Sequence, residues 1–117
     1  MQGYKQRLGK KGERLAVQFL RHKGYQIIAK NFSSRLGEID IIAYCGTTIV
    51  FIEVKTRTSC DWGHPQEAIG PDKIRRLVRC AQFYIKKHAN PDDNFRFDVV
   101  SVILGQPNQI ELIENAF

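Results

Sequence analysis

The stretch Gly37 to Arg57 constrains this chain more than any other. It reads Gly37-Glu38-Ile39-Asp40-Ile41-Ile42-Ala43-Tyr44, then Cys45-Gly46-Thr47-Thr48, then Ile49-Val50-Phe51-Ile52-Glu53-Val54-Lys55-Thr56-Arg57. Two apolar, β-branched runs around a glycine-containing turn predict a β-hairpin. Yet Glu38, Asp40, Glu53 and Lys55 sit inside the runs, where an ordinary hairpin carries apolar or neutral residues. If Gly46-Thr47 is a two-residue loop with glycine first, as a type II′ turn requires, Cys45 faces Thr48, Asp40 faces Glu53 and Glu38 faces Lys55. Directly opposed side chains have Cβ atoms roughly 4.5–5.5 Å apart, and like charges there destabilise the pair. A different turn would shift this pairing. Alternation alone places Glu53, Lys55 and Arg57 on one face of the second strand, with Val50, Ile52 and Val54 on the other.

A divalent cation would relieve the repulsion. Mg²⁺ takes oxygen ligands, usually one or two carboxylates with waters and substrate phosphate. Asp40 and Glu53 supply the carboxylates, and the backbone carbonyl of Val54 adds an oxygen. Lys55 points into the same site, placed to lower the pKa of an attacking water or to stabilise a charged phosphoryl transition state. The competing reading is a solvated strand face with cross-strand ion pairs, Glu38 with Lys55 for example. The setting inside two adjacent apolar strands favours the cation.

A chain of 117 residues is expected to form one domain over 1–117, long enough to bury a core without staples. No apolar run approaches the roughly 18 residues of a transmembrane helix. The N-terminus is basic and polar with no apolar h-region, so no signal peptide is expected and the cytoplasm is the expected location. Cys45, Cys60 and Cys80 are widely spaced, and His22, His64 and His88 are scattered, so neither zinc nor a disulfide framework is indicated. The net charge of +6 favours polyanionic partners, nucleic acid first. Its cations crowd two places: Lys5, Arg7, Lys10, Lys11 and Arg14 near the start, and Lys73, Arg75, Arg76, Arg79, Lys86 and Lys87 later.

Along the chain, residues 5–23 carry helical periodicity, with Leu8, Gly12, Leu15 and Phe19 in one row and Gly24 as the expected stop. Glu13 lies at the edge of the core-facing stripe. A carboxylate there needs a partner or a metal, or it snorkels to solvent beside Lys10 and Arg14. Tyr25 to Phe32 reads as a strand that joins the hairpin in an antiparallel meander. Residues 58–70 read as a loop in which Trp62 and His64 either anchor or bind. A helix begins at Gly70-Pro71, apolar along Ile74, Leu77, Val78, Ala81, Tyr84 and Ile85 and densely basic opposite, either as a solvated face or as one that tracks phosphates. Phe95 to Leu104 is a strong strand expected to return onto the sheet by a crossover. Its Asp98 either serves the site or pairs with Arg96. Ile110 to Ile113 is a candidate edge strand.

The ordered motifs resemble the PD-(D/E)xK nuclease superfamily: Glu13 on the first helix, Gly37-Glu38-Ile39-Asp40 on one strand and Glu53-Val54-Lys55 on the next. More narrowly, Lys11-Gly12-Glu13, Phe51-Ile52-Glu53-Val54-Lys55-Thr56-Arg57, Lys73-Ile74-Arg75-Arg76-Leu77 and Arg96-Phe97-Asp98-Val99-Val100 resemble the bacterial YraN-like family, which is endonuclease-like. Ile39 stands where the superfamily motif has proline, but the aspartate is the chemical group. The resemblance implies an α/β (α+β), restriction-endonuclease-like fold. Its α-β-β-β-α-β core has a mixed central sheet flanked by helices, close to archaeal Holliday junction resolvases. It implies that Asp40 and Glu53 bind Mg²⁺ or Mn²⁺, that Glu13 completes the acidic cluster, and that Lys55 is the catalytic lysine. Gln66 and Lys73 are weaker helpers, and Arg57 and Arg76 join them as nucleic-acid contacts. The expected activity is metal-dependent hydrolysis of DNA, on branched or damaged DNA in repair or recombination. A resolvase-like role would favour a homodimer. The alternatives are a catalytically silent nuclease-fold nucleic-acid-binding protein and an adaptor whose basic surface meets an acidic partner.

Overall fold

The computed structural model describes residues 3–58 and 69–117. Its elements run in the expected order: α1 (Tyr4–His22), β1 (Gln26–Ser34), β2 (Gly37–Cys45), β3 (Thr48–Arg57), α2 (Pro71–His88), β4 (Asn94–Ile103) and β5 (Gln109–Ile113). They form an α+β fold around one five-stranded mixed sheet of order β1-β2-β3-β4-β5. The first three strands are an antiparallel meander. After α2 the chain returns to pair β4 parallel to β3, and β5 closes the sheet antiparallel to β4. No helix among the described residues is long and apolar enough to cross a membrane.

Each helix buries its apolar stripe on its own face of the sheet. Under α1 lie Ala16, Val17 and Leu20 with Ile41, Ala43, Val50, Ile52, Val100 and Val102. Under α2 lie Leu77, Cys80, Ala81 and Tyr84 with Ile39, Ile42, Ile49 and Phe51. Strands covered on both faces read as continuous apolar runs, which is why β3 and β4 are so rich in valine and isoleucine. Pro71 opens α2 at a position where its missing N–H has no helical partner to lose.

The hairpin turn is the one its sequence specifies. Gly46 has φ +61 and Thr47 does not take positive φ, as a two-residue type II′ loop requires. The register follows from Cys45↔Thr48 to Ile41↔Ile52, where the β2–β3 ladder ends. Asp40 and Glu53 are the next residues on each strand, so they flank the end of the ladder and are not a rung of it.

Gly12 sets how closely α1 approaches the sheet. A Cβ on it would lie 1.9 Å from Thr56 Oγ1 and 2.8 Å from Thr56 Cγ2. Rotating the threonine does not clear it, because Thr56 Cβ itself would stand 2.9 Å away. Gly12→Ala gains about 1 kcal/mol of helix propensity but overpacks a buried contact, at about 1–3 kcal/mol. Thermal unfolding is expected to show net destabilisation, partly restored by adding Thr56→Ala. An unchanged or higher midpoint for Gly12→Ala would contradict the close approach.

Candidate functional site

The site begins at a kink shared by two strands. On β2, Ile41 and Ala43 pack under α1, whereas Ile39 and Ile42 pack under α2. Strict alternation would put Ile39 with Ile41, so the phase of the strand reverses at Asp40. The neighbouring strand does the same. Asn31 has φ +54 and lies between the rungs Lys30↔Ile41 and Phe32↔Ile39, directly across from Asp40. Irregularities of this kind re-aim side chains at sheet rims. Here Asp40 is turned out of the regular pattern toward β3.

Asp40 then replaces the missing rung. The backbone N–H of Val54 donates to Asp40 Oδ2 at 2.8 Å. The N–H and C=O of one strand residue point to the same side, so the Val54 carbonyl also faces the end of the ladder. Alternation sends Glu53 and Lys55 to the side of the sheet covered by α2. Glu53 is buried, with 6% of its side chain exposed, and Lys73 Nζ of α2 lies 2.7 Å from its Oε1. The Glu38–Lys55 ion pair of the competing reading does not form among the described residues. The charges that bear on Lys55 are those of Lys73, Glu53 and Asp40. Glu13 reaches the cluster from α1 and accepts a hydrogen bond from Asn31.

Glu13, Asp40, Glu53, Val54, Lys55, Arg57 and Lys73 all line one open cleft of about 700 Å³. Arg76 is not in it. It lines an adjoining hollow of about 250 Å³ with Glu38, Asp40, Glu53 and Lys73. Gln66 lies outside the described residues, as do Trp62 and His64. Asp98 is not part of the site: it is fully buried and held by Arg96. Sequence reasoning missed Asn31, whose positive φ and bond to Glu13 depend on the opposite strand. It also missed Lys73 as the ion-pair partner of Glu53.

The electrostatics push these groups toward neutrality. Burial, then the Glu53 charge, drive Asp40 up to about 7, against the Val54 N–H and Lys73. Burial also raises Glu13, helped by the charges of Glu38 and Glu53 and opposed by the Asn31 hydrogen bond. Burial and the neighbouring Lys73 ammonium lower Lys55, against Glu53 and Asp40. Carboxylates that hold protons too tightly beside a lysine that holds one too weakly are common at catalytic sites.

The donor set is all oxygen: two carboxylates, a backbone carbonyl and a third carboxylate nearby. Mg²⁺ and Mn²⁺ favour that chemistry, keeping waters and substrate phosphate in the remaining positions. Among the described residues no three acidic, histidine or cysteine side chains close around one point. The fit is to a sparsely ligated cation, and the Lys73 ammonium meets Glu53 where such a cation would.

A profile of the Uncharacterised protein family UPF0102 matches residues 12–102, a span that contains Glu13, Asp40, Glu53, Lys55 and Lys73. The chain belongs to that family. It is the family to which the YraN-like motifs point. A UPF0102 protein of Alkaliphilus metalliredigens (strain QYMF) is 50% identical over 110 residues, covering 94% of this chain and 96% of the relative. One from Caldicellulosiruptor saccharolyticus is 47% identical over 116 residues, covering 97% and 98%. One from Geobacter metallireducens is 50% identical over 111 residues, covering 94% and 91%. UPF0102 membership carries no chemistry with it, so activity is argued from the site.

Proposed function

We propose that this protein is a metal-dependent nuclease that hydrolyses phosphodiester bonds of DNA. The observation that carries the reading is the pair Asp40 and Glu53, set at the end of the β2–β3 ladder beside Lys55 in a cation-lined cleft. Asp40, Glu53 and the Val54 carbonyl would hold Mg²⁺ or Mn²⁺, with Glu13 close by. When bound, that cation supplies an activated water and neutralises charge developing on the phosphoryl oxygens. Lys55, with its proton loosened by burial and by Lys73, either donates to a phosphoryl oxygen or takes the proton of the attacking water. Lys73, Arg57 and Arg76 hold the flanking backbone, which gives salt-dependent binding with little sequence preference.

The test is cleavage of labelled branched, flapped, duplex and single-stranded DNA with Mg²⁺, Mn²⁺, Ca²⁺ or EDTA. Cutting is expected only with Mg²⁺ or Mn²⁺. Lys55→Ala is expected to lose about 10²–10³-fold in rate, the loss typical of removing one transition-state donor, and Glu53→Gln to lose at least as much. Both should still bind DNA. If no substrate is cut, or the variants cut as wild type does, the catalytic reading fails.

The ion pair between Lys73 and Glu53 favours a second reading, a nuclease-fold DNA-binding protein without turnover, in which Lys73 takes the cation's place. Titration calorimetry separates the two. The nuclease is expected to bind Mn²⁺ in a Glu53-dependent way, and the silent protein is not.

A further inference from the structure

A second cleft lies on the other side of Glu13, between α1 and β1, with a volume of about 310 Å³. Lys10, Arg14 and Arg21 line it from α1 and Lys30 from β1, with Glu13 and Asn31 at the end nearest the carboxylate cluster. The three helical cations are spaced i, i+4 and i+11, which puts them along one side of the helix. Among the described residues none of these four side chains makes an ion pair with a carboxylate. Four like charges around one hollow repel each other, and nothing in the packing of the core requires them there.

We infer that this α1–β1 cleft is a second backbone-phosphate subsite, which takes the nucleic-acid strand on the side of the carboxylate cluster away from α2. The inference rests on the nuclease reading and extends it by giving the strand a path. Glu13 lines both this cleft and the central one. Arg76 and Lys73 stand beyond Asp40 and Glu53 at the opposite end. Cations therefore flank the cluster on both sides, as a chain of phosphates crossing it would require. Arginine meets phosphate with two parallel hydrogen bonds, and the cleft offers two arginines. Among the described residues no aromatic side chain lines it, so they offer no platform on which to stack bases. The subsite holds backbone and reads no sequence. Glu13, the one carboxylate on its wall among the described residues, bonds Asn31, feels the Lys10 charge and also lines the central cleft.

The experiment measures binding without cleavage. Anisotropy of labelled single-stranded and branched DNA is followed in EDTA from 50 to 200 mM KCl. Wild type is compared with Arg14→Gln/Arg21→Gln and with the charge-matched control Lys23→Gln/Arg35→Gln. All four side chains are exposed, so both double variants should keep the wild-type thermal midpoint. The slope of log K against log salt is about −0.7 per phosphate neutralised on a single strand. The cleft variant is expected to flatten that slope by about 1.4, because two phosphates are no longer neutralised. The control should leave it unchanged. A slope that does not move, or moves equally in the control, overturns the inference. Cleavage of the same DNA with Mg²⁺ is scored separately. Wild type that cuts while the slope stays fixed keeps the nuclease and removes the subsite. A flattened slope with no cutting by wild type keeps the subsite and removes the nuclease.

Discussion

Asp40→Asn is expected to stabilise the fold above pH 7 and to abolish Mg²⁺-dependent cleavage. Burial and the Glu53 charge raise the Asp40 carboxyl from its ordinary 3.8 to about 7. Between those values the folded protein keeps a proton that the unfolded chain has released. Stability therefore falls as pH rises from about 4 to about 7, and the loss persists at higher pH. A rise from 3.8 to about 7 corresponds to about 4 kcal/mol as an upper bound, and partial solvent access reduces this to about 2 kcal/mol. Asparagine removes the charge and still presents an oxygen to the Val54 N–H. In EDTA at pH 8 the variant is expected to melt on the order of 10 °C above wild type, with the gap closing toward pH 4. Added Mg²⁺ should raise the midpoint of wild type, because a ligand of the folded state alone stabilises it, and should do nothing for the variant. A variant less stable than wild type at pH 8 would mean that the Asp40 charge is already compensated within the fold. Equal cutting by the two proteins would remove Asp40 from the chemistry.

The same cost to stability makes the cluster visible in the sequence. Glu38, Asp40, Glu53 and Lys55 break local rules inside apolar strands, and such violations concentrate at functional sites. The turn is equally legible, because only glycine takes the φ of Gly46 readily. Where the ladder ends is not. That depends on Asn31 kinking across from Asp40, a contact between strands that no local pattern encodes. The helix stripes follow from periodicity only in part. In α1 the burial centres on Gly12, Ala16, Val17 and Leu20, while Leu8, Leu15 and Phe19 are half-buried. In α2 Ile74 and Val78 are half-buried, while Cys80, fully buried, behaves as a small apolar residue. In the sequence Lys73 is one cation of a basic helix face. Its place on Glu53 follows from α2 packing against β2 and the end of β3, as does the separation of Arg76 into the adjoining hollow. Gly12 fits the apolar row of α1, but only the contact with Thr56 explains why no larger residue serves there.

Asp98→Ala is expected to be the most destabilising change outside the site, by about 3–5 kcal/mol. Asp98 is fully buried, and Arg96, 17% exposed, grips it through Nε at 2.9 and 3.1 Å and Nη2 at 2.9 Å. The N–H of Asn115 donates to the same carboxylate at 3.0 Å. Arg96 Nη2 also donates to the Tyr25 hydroxyl at 2.6 Å, which ties β4 to the start of β1 across the α1 face of the sheet. The tail is held further by Ala116 N–H on the Phe97 carbonyl at 2.8 Å and by the rings of Phe97 and Phe117, 5.4 Å apart. Alanine leaves a largely buried guanidinium with only the exposed Glu114 carboxylate, 3.8 Å from Nη2, as counter-charge and leaves the Asn115 N–H without its acceptor. Unmade bonds to buried groups weigh more than the same bonds gain when made. At roughly 4 °C per kcal/mol for a domain of this size, the midpoint should fall by about 12–20 °C. Arg96→Met/Asp98→Leu removes both charges together and is expected to recover much of the loss, since a buried pair replaced as a unit by apolar groups is often neutral. Neither protein changes a residue of the carboxylate–lysine cluster, so cleavage below the lowered midpoint should match wild type. A fall in cleavage at full folding would place Asp98 in the site after all. A midpoint within a few degrees of wild type would show that the tail and β4 do not need the clamp.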